Sequence, residues 1–354
     1  MVNAAYRRPV TRWLTACALM VALMVLAGGY TRLTGSGLSI TEWKPVHGII
    51  PPFSAEGWQD EFAAYRATPQ YAIINEGITV EEFKHIFWPE FIHRLLGRVA
   101  GLVFFAPFAW FVFRRAFSAG FTVRMMGIFA LGGLQGAMGW YMVKSGLLVG
   151  PYVSHIRLAM HLMLAFLIFG LLLWTALGIN PRPPQEPLPR RLKYELTSLT
   201  SLFCVQVFYG ALLAGMHGGL IYNTFPTMNG RWLPEDLTTI NPLWENLLYN
   251  IACVQFIHRW LAMIVAAGVF LWWLESRRYA THPAIGRLRN GIAVTVLVQV
   301  VLGVTTLTLQ VPLLLATLHQ LTALLLFTLL LTAMHRIKAR HHVTTFNQLS
   351  AEMV

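Results

Sequence analysis

Eight apolar runs of close to 20 residues dominate the chain, at about 12–31, 92–113, 123–144, 154–177, 196–217, 252–274, 289–309 and 313–334. As a helix, a run of that length crosses roughly 30 Å of hydrocarbon at about 1.5 Å per residue. Composition agrees: 56% of residues are hydrophobic and 12% charged, about half the charge of a soluble domain. The expected fold is an all-α integral membrane protein with eight transmembrane helices. The first run follows Arg7, Arg8 and Arg12, as a signal peptide would. It is too long for one, and VLAGGYTRLTGSG shows no small-residue cleavage site, so it is expected to stay as a helix.

A net charge of +12 raises the question of nucleic acid, and its placement answers it. Lys and Arg cluster before the first run, at Arg114, Arg115 and Arg124, at Arg182, Arg190, Arg191 and Lys193, at Arg277, Arg278, Arg287 and Arg289, and at Arg336, Lys338 and Arg340. These are alternate connections plus both termini. The segment 32–91 instead carries Glu42, Glu56, Asp60, Glu61, Glu76, Glu81, Glu82 and Glu90 against four Lys or Arg. The positive-inside rule puts both termini and the basic loops in the cytoplasm, which accounts for the charge without nucleic acid. The expected location is the cell inner membrane, with lipid as the surrounding partner. Cys17, Cys204 and Cys253 all fall inside apolar runs, where packing is the default role.

The chain repeats itself. TGSGLSITEWKP follows the first run and MHGGLIYNTFP the fifth; FIHR opens the second and the sixth. Runs three and seven share Gln-x-x-x-Gly, as Gln135/Gly139 and Gln299/Gly303, and runs four and eight carry His161 and His319 in their first third. Gln206/Gly210 in the fifth run makes the Gln-x-x-x-Gly match weak by itself; the joint order of four features is the strong sign. An even number of spans per half gives two parallel-repeat four-helix bundles. The expected domains are 1–180, a Pro-rich cytoplasmic linker at 181–194, a second half at 195–340 and a tail at 341–354.

His93, His161, His258 and His319 then lie near the outer start of the four helices that run inward. Two imidazoles per half at one depth is the arrangement that ligates a haem iron axially, and a bundle core suits the apolar macrocycle. A lone intramembrane histidine is as well read as a helix–helix hydrogen-bond partner; four in matched pairs favour iron. Zinc fits less well, with no cysteine or second carboxylate in place. Arg94 and Arg259 follow two of the histidines and have two readings, contact with haem propionates or snorkelling to the interface.

Glu90 stands three residues before His93, and Gln255 three before His258. Residues i and i+3 share a helix face, so each stands above its half's histidine. An amide keeps the shape but cannot exchange a proton or turn negative, which suggests chemistry in the first half and a held cofactor in the second. The alternative is an N-terminal carboxylate that favours the helix dipole, with Pro89 just before it.

GGYTRLTGSGLSITEWKPVHGIIPP, EEFKHIFWPEFIHRLLGR, the His161 segment, QFIHR and LHQLT together resemble the haem A synthase family, of the proteobacterial and mitochondrial type, over about residues 20–335. The resemblance implies a membrane oxidoreductase that converts haem O to haem A for terminal oxidases. The C8 methyl would become a formyl group through successive hydroxylations, with oxygen from water. It implies that His93 and His161 serve the substrate haem, that His258 and His319 bind a haem B cofactor, and that Glu90 is catalytic. Haem O synthase and an electron acceptor are the implied partners. Some members carry a cysteine pair after the GSGL motif; here SITEWKPVHG has none, so the loop is expected to act as a lid, with His47 either near the haem or solvated. The main rival is a dihaem b-type cytochrome that only passes electrons; a haem carrier is the third reading.

Overall fold

The structure is a computed structural model that describes residues 1–42, 47–148, 150–180 and 188–338; the side chains of His47 and Lys338 are outside that set. The expected linker and tail fall largely on 181–187 and 339–354, outside the described residues. Among the described residues every extended element is a helix, and the only strand-like features are two isolated bridges.

Among the described residues eight helices are long: α1 (Arg7–Leu33), α4 (Val80–Phe113), α5 (Ala119–Leu148), α6 (His155–Ile179), α7 (Arg190–Gly215), α9 (Ile251–Ser276), α10 (Gly286–Thr308) and α11 (Leu313–Lys338). Between α1 and α4 lie α2 (Ala55–Arg66) and the single-turn α3 (Pro69–Ile73), and α8 (Asn246–Tyr249) precedes α9. Seven of the long helices are apolar enough over 18 residues to cross a membrane. Large apolar side chains such as Leu19, Leu102, Leu167, Leu271 and Val294 point outward, as they do where lipid is the solvent. The chain is a multi-pass membrane protein. The eighth long helix, α5, falls short because it is rich in glycine and carries Gln135, both of which turn out to serve the site.

Packing closes two rings. Helix α1 packs on α4, α4 on α5, α5 on α6, and α6 back on α1; α7, α9, α10 and α11 do the same. The rings meet along α6–α7, α6–α11 and α1–α11. Leu14, Phe111, Phe169, Leu196, Trp272 and Leu326 belong to one buried cluster that runs through both.

Helix α4 begins at Val80, well before the apolar run expected from about 92. Thr79 caps it: its hydroxyl accepts from the Glu82 N–H while the Glu82 carboxylate accepts from the Thr79 N–H. Such a capping box satisfies two orphan donors, and Glu81 and Glu82 complement the dipole. The added turns are not lipid-facing. Phe83 and Phe87 pack with Phe62, Tyr65 and Phe91 into a small aromatic core that seats α2 and α3 on α4. Glu90 therefore sits in the third turn of α4, which removes the helix-dipole reading of its position.

Candidate functional site

Each histidine projects from a helix toward a glycine on its neighbour. Gly28 of α1 faces His93, Gly139 of α5 faces His161, Gly210 of α7 faces His258, and Gly303 of α10 faces His319. A Cβ at these glycines would lie 3.1 Å from His93 Nε2, 3.1 Å from His161 Cε1, 2.9 Å from His258 Cε1 and 2.9 Å from His319 Cε1. Those separations are tighter than van der Waals contact, so hydrogen is the only side chain that leaves each ring its place.

One turn before three of these glycines stands a glutamine whose amide reaches the same imidazole. Gln135 Nε2 lies 3.2 Å from His161 Nε2 and donates to the His161 carbonyl at 3.1 Å. Gln206 Nε2 lies 3.0 Å from His258 Nδ1 and donates to the His258 carbonyl at 2.9 Å. Gln299 Nε2 lies 3.3 Å from His319 Nε2. The amide oxygens of all three are buried with no hydrogen-bond partner, and so is His319 Nδ1. Gln-x-x-x-Gly is thus a histidine cradle and not only a mark of the repeat; the fifth-run copy belongs to the set. The three glutamines and their glycines entered the sequence reading only as marks of the repeat, and Gly28 only as part of a family motif; their place beside the histidines was missed.

The four histidines line one continuous cavity of about 1580 Å³ that runs through both rings. That exceeds the roughly 300–1,000 Å³ of a single small-molecule pocket. Among the described residues no three His, Cys, Asp or Glu side chains converge as a metal site would need. Haem asks for less, two axial imidazoles in an apolar slot, and the residues fit it. Glutamine amide nitrogens hold three of the four rings, and the partnerless amide oxygens beside them leave polar capacity in the slot unused.

Glu90 and Gln255 both line this cavity and are buried, but they hold opposite partners. Glu90 accepts from Ser39 Oγ at 2.7 Å and the Ile40 N–H at 2.9 Å on one oxygen, and from Arg94 Nη2 at 2.7 Å and Nε at 3.1 Å on the other. Gln255 instead donates, to the carbonyls of Gly218 at 3.0 Å and Ile221 at 2.7 Å. The segment after α1 offers donors to the helix and the segment after α7 offers acceptors. The Glu-to-Gln change matches that polarity, quite apart from any chemistry.

Arg94 also donates to the carbonyls of Ile40 and Glu42, and Arg259 to those of Tyr222, Thr224 and Thr227. Both strap an inter-helix segment down over the cavity. Arg259 keeps a buried Nε–H without a partner, as does Arg32 at the end of α1. Arg32 lines the cavity and donates to the Ala214 carbonyl across the seam between the rings. Beside it His217 packs on Tyr152 with ring centroids 4.2 Å apart, and burial first, then the Arg32 charge, hold its imidazole below the ordinary value.

The family model described as cytochrome oxidase assembly protein matches residues 11–331. The chain belongs to that family. A haem A synthase of Nitrosospira multiformis is 44% identical over 338 residues, covering 94% of this chain and 95% of the relative. One of Nitrosomonas eutropha is 45% identical, covering 90% and 91%. One of Wolbachia pipientis is 44% identical, covering 90% of each chain. The matched stretch takes in all four histidines, Glu90 and the glutamine–glycine cradles, so the similarity extends over both rings and is not confined to one.

Proposed function

We propose that the protein is a haem A synthase, oxidising the C8 methyl of haem O to a formyl group with oxygen from water. The observation that carries this reading is similarity to proteins of that name along nearly the whole chain, including both histidine pairs. The balance is methyl plus water to formyl, with four protons and four electrons leaving. The electrons pass to an acceptor outside the chain, and haem O arrives from the lipid or from haem O synthase. We assign the chain eight crossings of the cell inner membrane as two parallel repeats, with both termini cytoplasmic, on the alternation of basic connections.

The division of labour follows the asymmetry between the rings. His93 and His161 take the substrate haem, and His258 and His319 hold haem B, each of the latter backed by its own glutamine. Haem B, when bound, supplies a one-electron relay. Glu90 is the catalytic carboxylate, three residues from His93 and on the cavity wall. A carboxylate has about four lone-pair sites, and here four donors reach them. That suits an electrostatic role, stabilising positive charge that develops at the methyl carbon, better than proton abstraction. Arg94 directs four of its five N–H groups at Glu90 and the strap; Arg32 and Arg259, each with an unpartnered buried Nε–H, are the cations for the propionates.

The test is haem content by half. His258→Ala or His319→Ala should deplete haem B from the purified protein while haem O still binds. Unchanged haem B in both variants removes the assignment of halves.

A further inference from the structure

Three of the four imidazoles have a glutamine in their cradle, and the fourth does not. The position one turn before Gly28, where the other glycines have Gln135, Gln206 and Gln299, is Met24. Met24 lines the same cavity, and its methyl lies 3.5 Å from where a Cβ on Gly97 would be, one turn along α4 from His93. It occupies the place of Gln206 in the other ring. Among the described residues no side chain hydrogen-bonds the His93 ring.

The chemical difference is large. A glutamine amide is a carbonyl acceptor and a two-proton donor, whereas a thioether is a weak acceptor and donates nothing. An imidazole on a metal is normally held by an outer partner on its second nitrogen, whose loss costs about 10–100-fold in metal affinity. His161, His258 and His319 each have a glutamine amide nitrogen against the ring, at 3.2, 3.0 and 3.3 Å, whereas His93 has a flexible sulfur chain.

We propose that Met24 makes His93 the releasable imidazole of the four. In the first ring His93 would be the ligand that lets go, so that ring would exchange the haem it holds, while in the second ring His258 and His319 are each backed by a glutamine. Met24 acts through His93 and is a positioning residue. This rests on the reading that the first ring takes substrate, since an enzyme must release one haem each turnover and keep the other. Met24 leaves no hydrogen-bonding anchor on the ring that has to move.

The experiment uses the full chain, loaded with haem in lipid nanodiscs and mixed with excess apomyoglobin as a haem scavenger. Wild type should lose haem in two phases, and the haem left behind is identified by chromatography. Met24→Gln should slow the fast phase by about 10–100-fold and leave the slow phase alone. Met24→Leu, which keeps the volume without the amide, should leave both unchanged. Gln206→Met should speed the slow phase by a similar factor, and it decides the matter alone if Met24→Gln does not fold. An unchanged fast phase in Met24→Gln, or equal slowing in Met24→Leu, overturns the proposal. If Met24→Gln slows a phase that carries haem B, the release device stands and the assignment of the first ring to substrate falls.

Discussion

Glu90 and Gln255 occupy one position in two copies of a helix, and the segments they touch have opposite hydrogen-bonding polarity. Replacing Glu90 with Gln turns an N–H₂ group toward donors on one side, Ser39 and Ile40 or Arg94. A buried mismatch of that kind costs about 1–3 kcal/mol. We therefore expect Glu90→Gln to lose at least about tenfold of formyl production, to keep its haem, and to expose residues 36–42 to protease; full activity would remove Glu90 from the chemistry. Gln255→Leu leaves the Ile221 carbonyl without its partner and should lower stability by about 1–3 kcal/mol in denaturation of the lipid-embedded protein, with no direct effect on the first ring. The i,i+3 spacing of Glu90 and His93 was plain in the sequence. The partners were not, because which way a loop's N–H and C=O groups face cannot be read from residue names.

The histidine cradles show what a helix pair contributes. The long spans were visible from hydropathy, and the four histidines from the repeat. The glutamine–glycine pairs were half visible: Gln206/Gly210 read as noise because the pattern was matched along the chain and not across to the facing histidine. The start of α4 was missed for a different reason. Its first turns, VEEFKHIFWPE, are polar enough to read as loop, and they are helical because they pack on α2 and α3 rather than on lipid. Gly303→Val should push the His319 ring out of place and strip haem from the second ring, with helix content by circular dichroism unchanged; retained haem would show that the close approach is not needed. At the end of α7, His217 makes a pH-dependent contribution. Its folded value lies below the ordinary value of about 6.5, so its stabilisation is present above that pH and is lost as pH falls through the folded value. The protection factors of amides in 216–221, the ratio of intrinsic to observed exchange rate, should fall between pH 7.5 and 5, and His217→Phe should abolish that fall.

At the scale of the molecule, two rings of four helices share one cavity and one buried core, and α1 and α11 join them directly. Gln320, next to His319, donates to the Val25 carbonyl at 2.7 Å and packs over Gly29, beside the Gly28 that faces His93. A hydrogen bond across the seam thus ties the helix that carries His319 to the helix that carries Gly28. Topology is tested from outside: reagents restricted to the outer face should label cysteines introduced at residues 54–78, and labelling only from the cytoplasmic side would reverse the orientation. What separates the synthase from a dihaem electron carrier is the product. The most direct measurement is the haem content of the protein purified from a host that makes haem O but no haem A, with an electron acceptor supplied, the extracted haems being separated by chromatography with mass detection. Haem B together with haem A, or its hydroxylated precursor, is the predicted result; haem B alone would contradict it and leave an electron-transfer cytochrome.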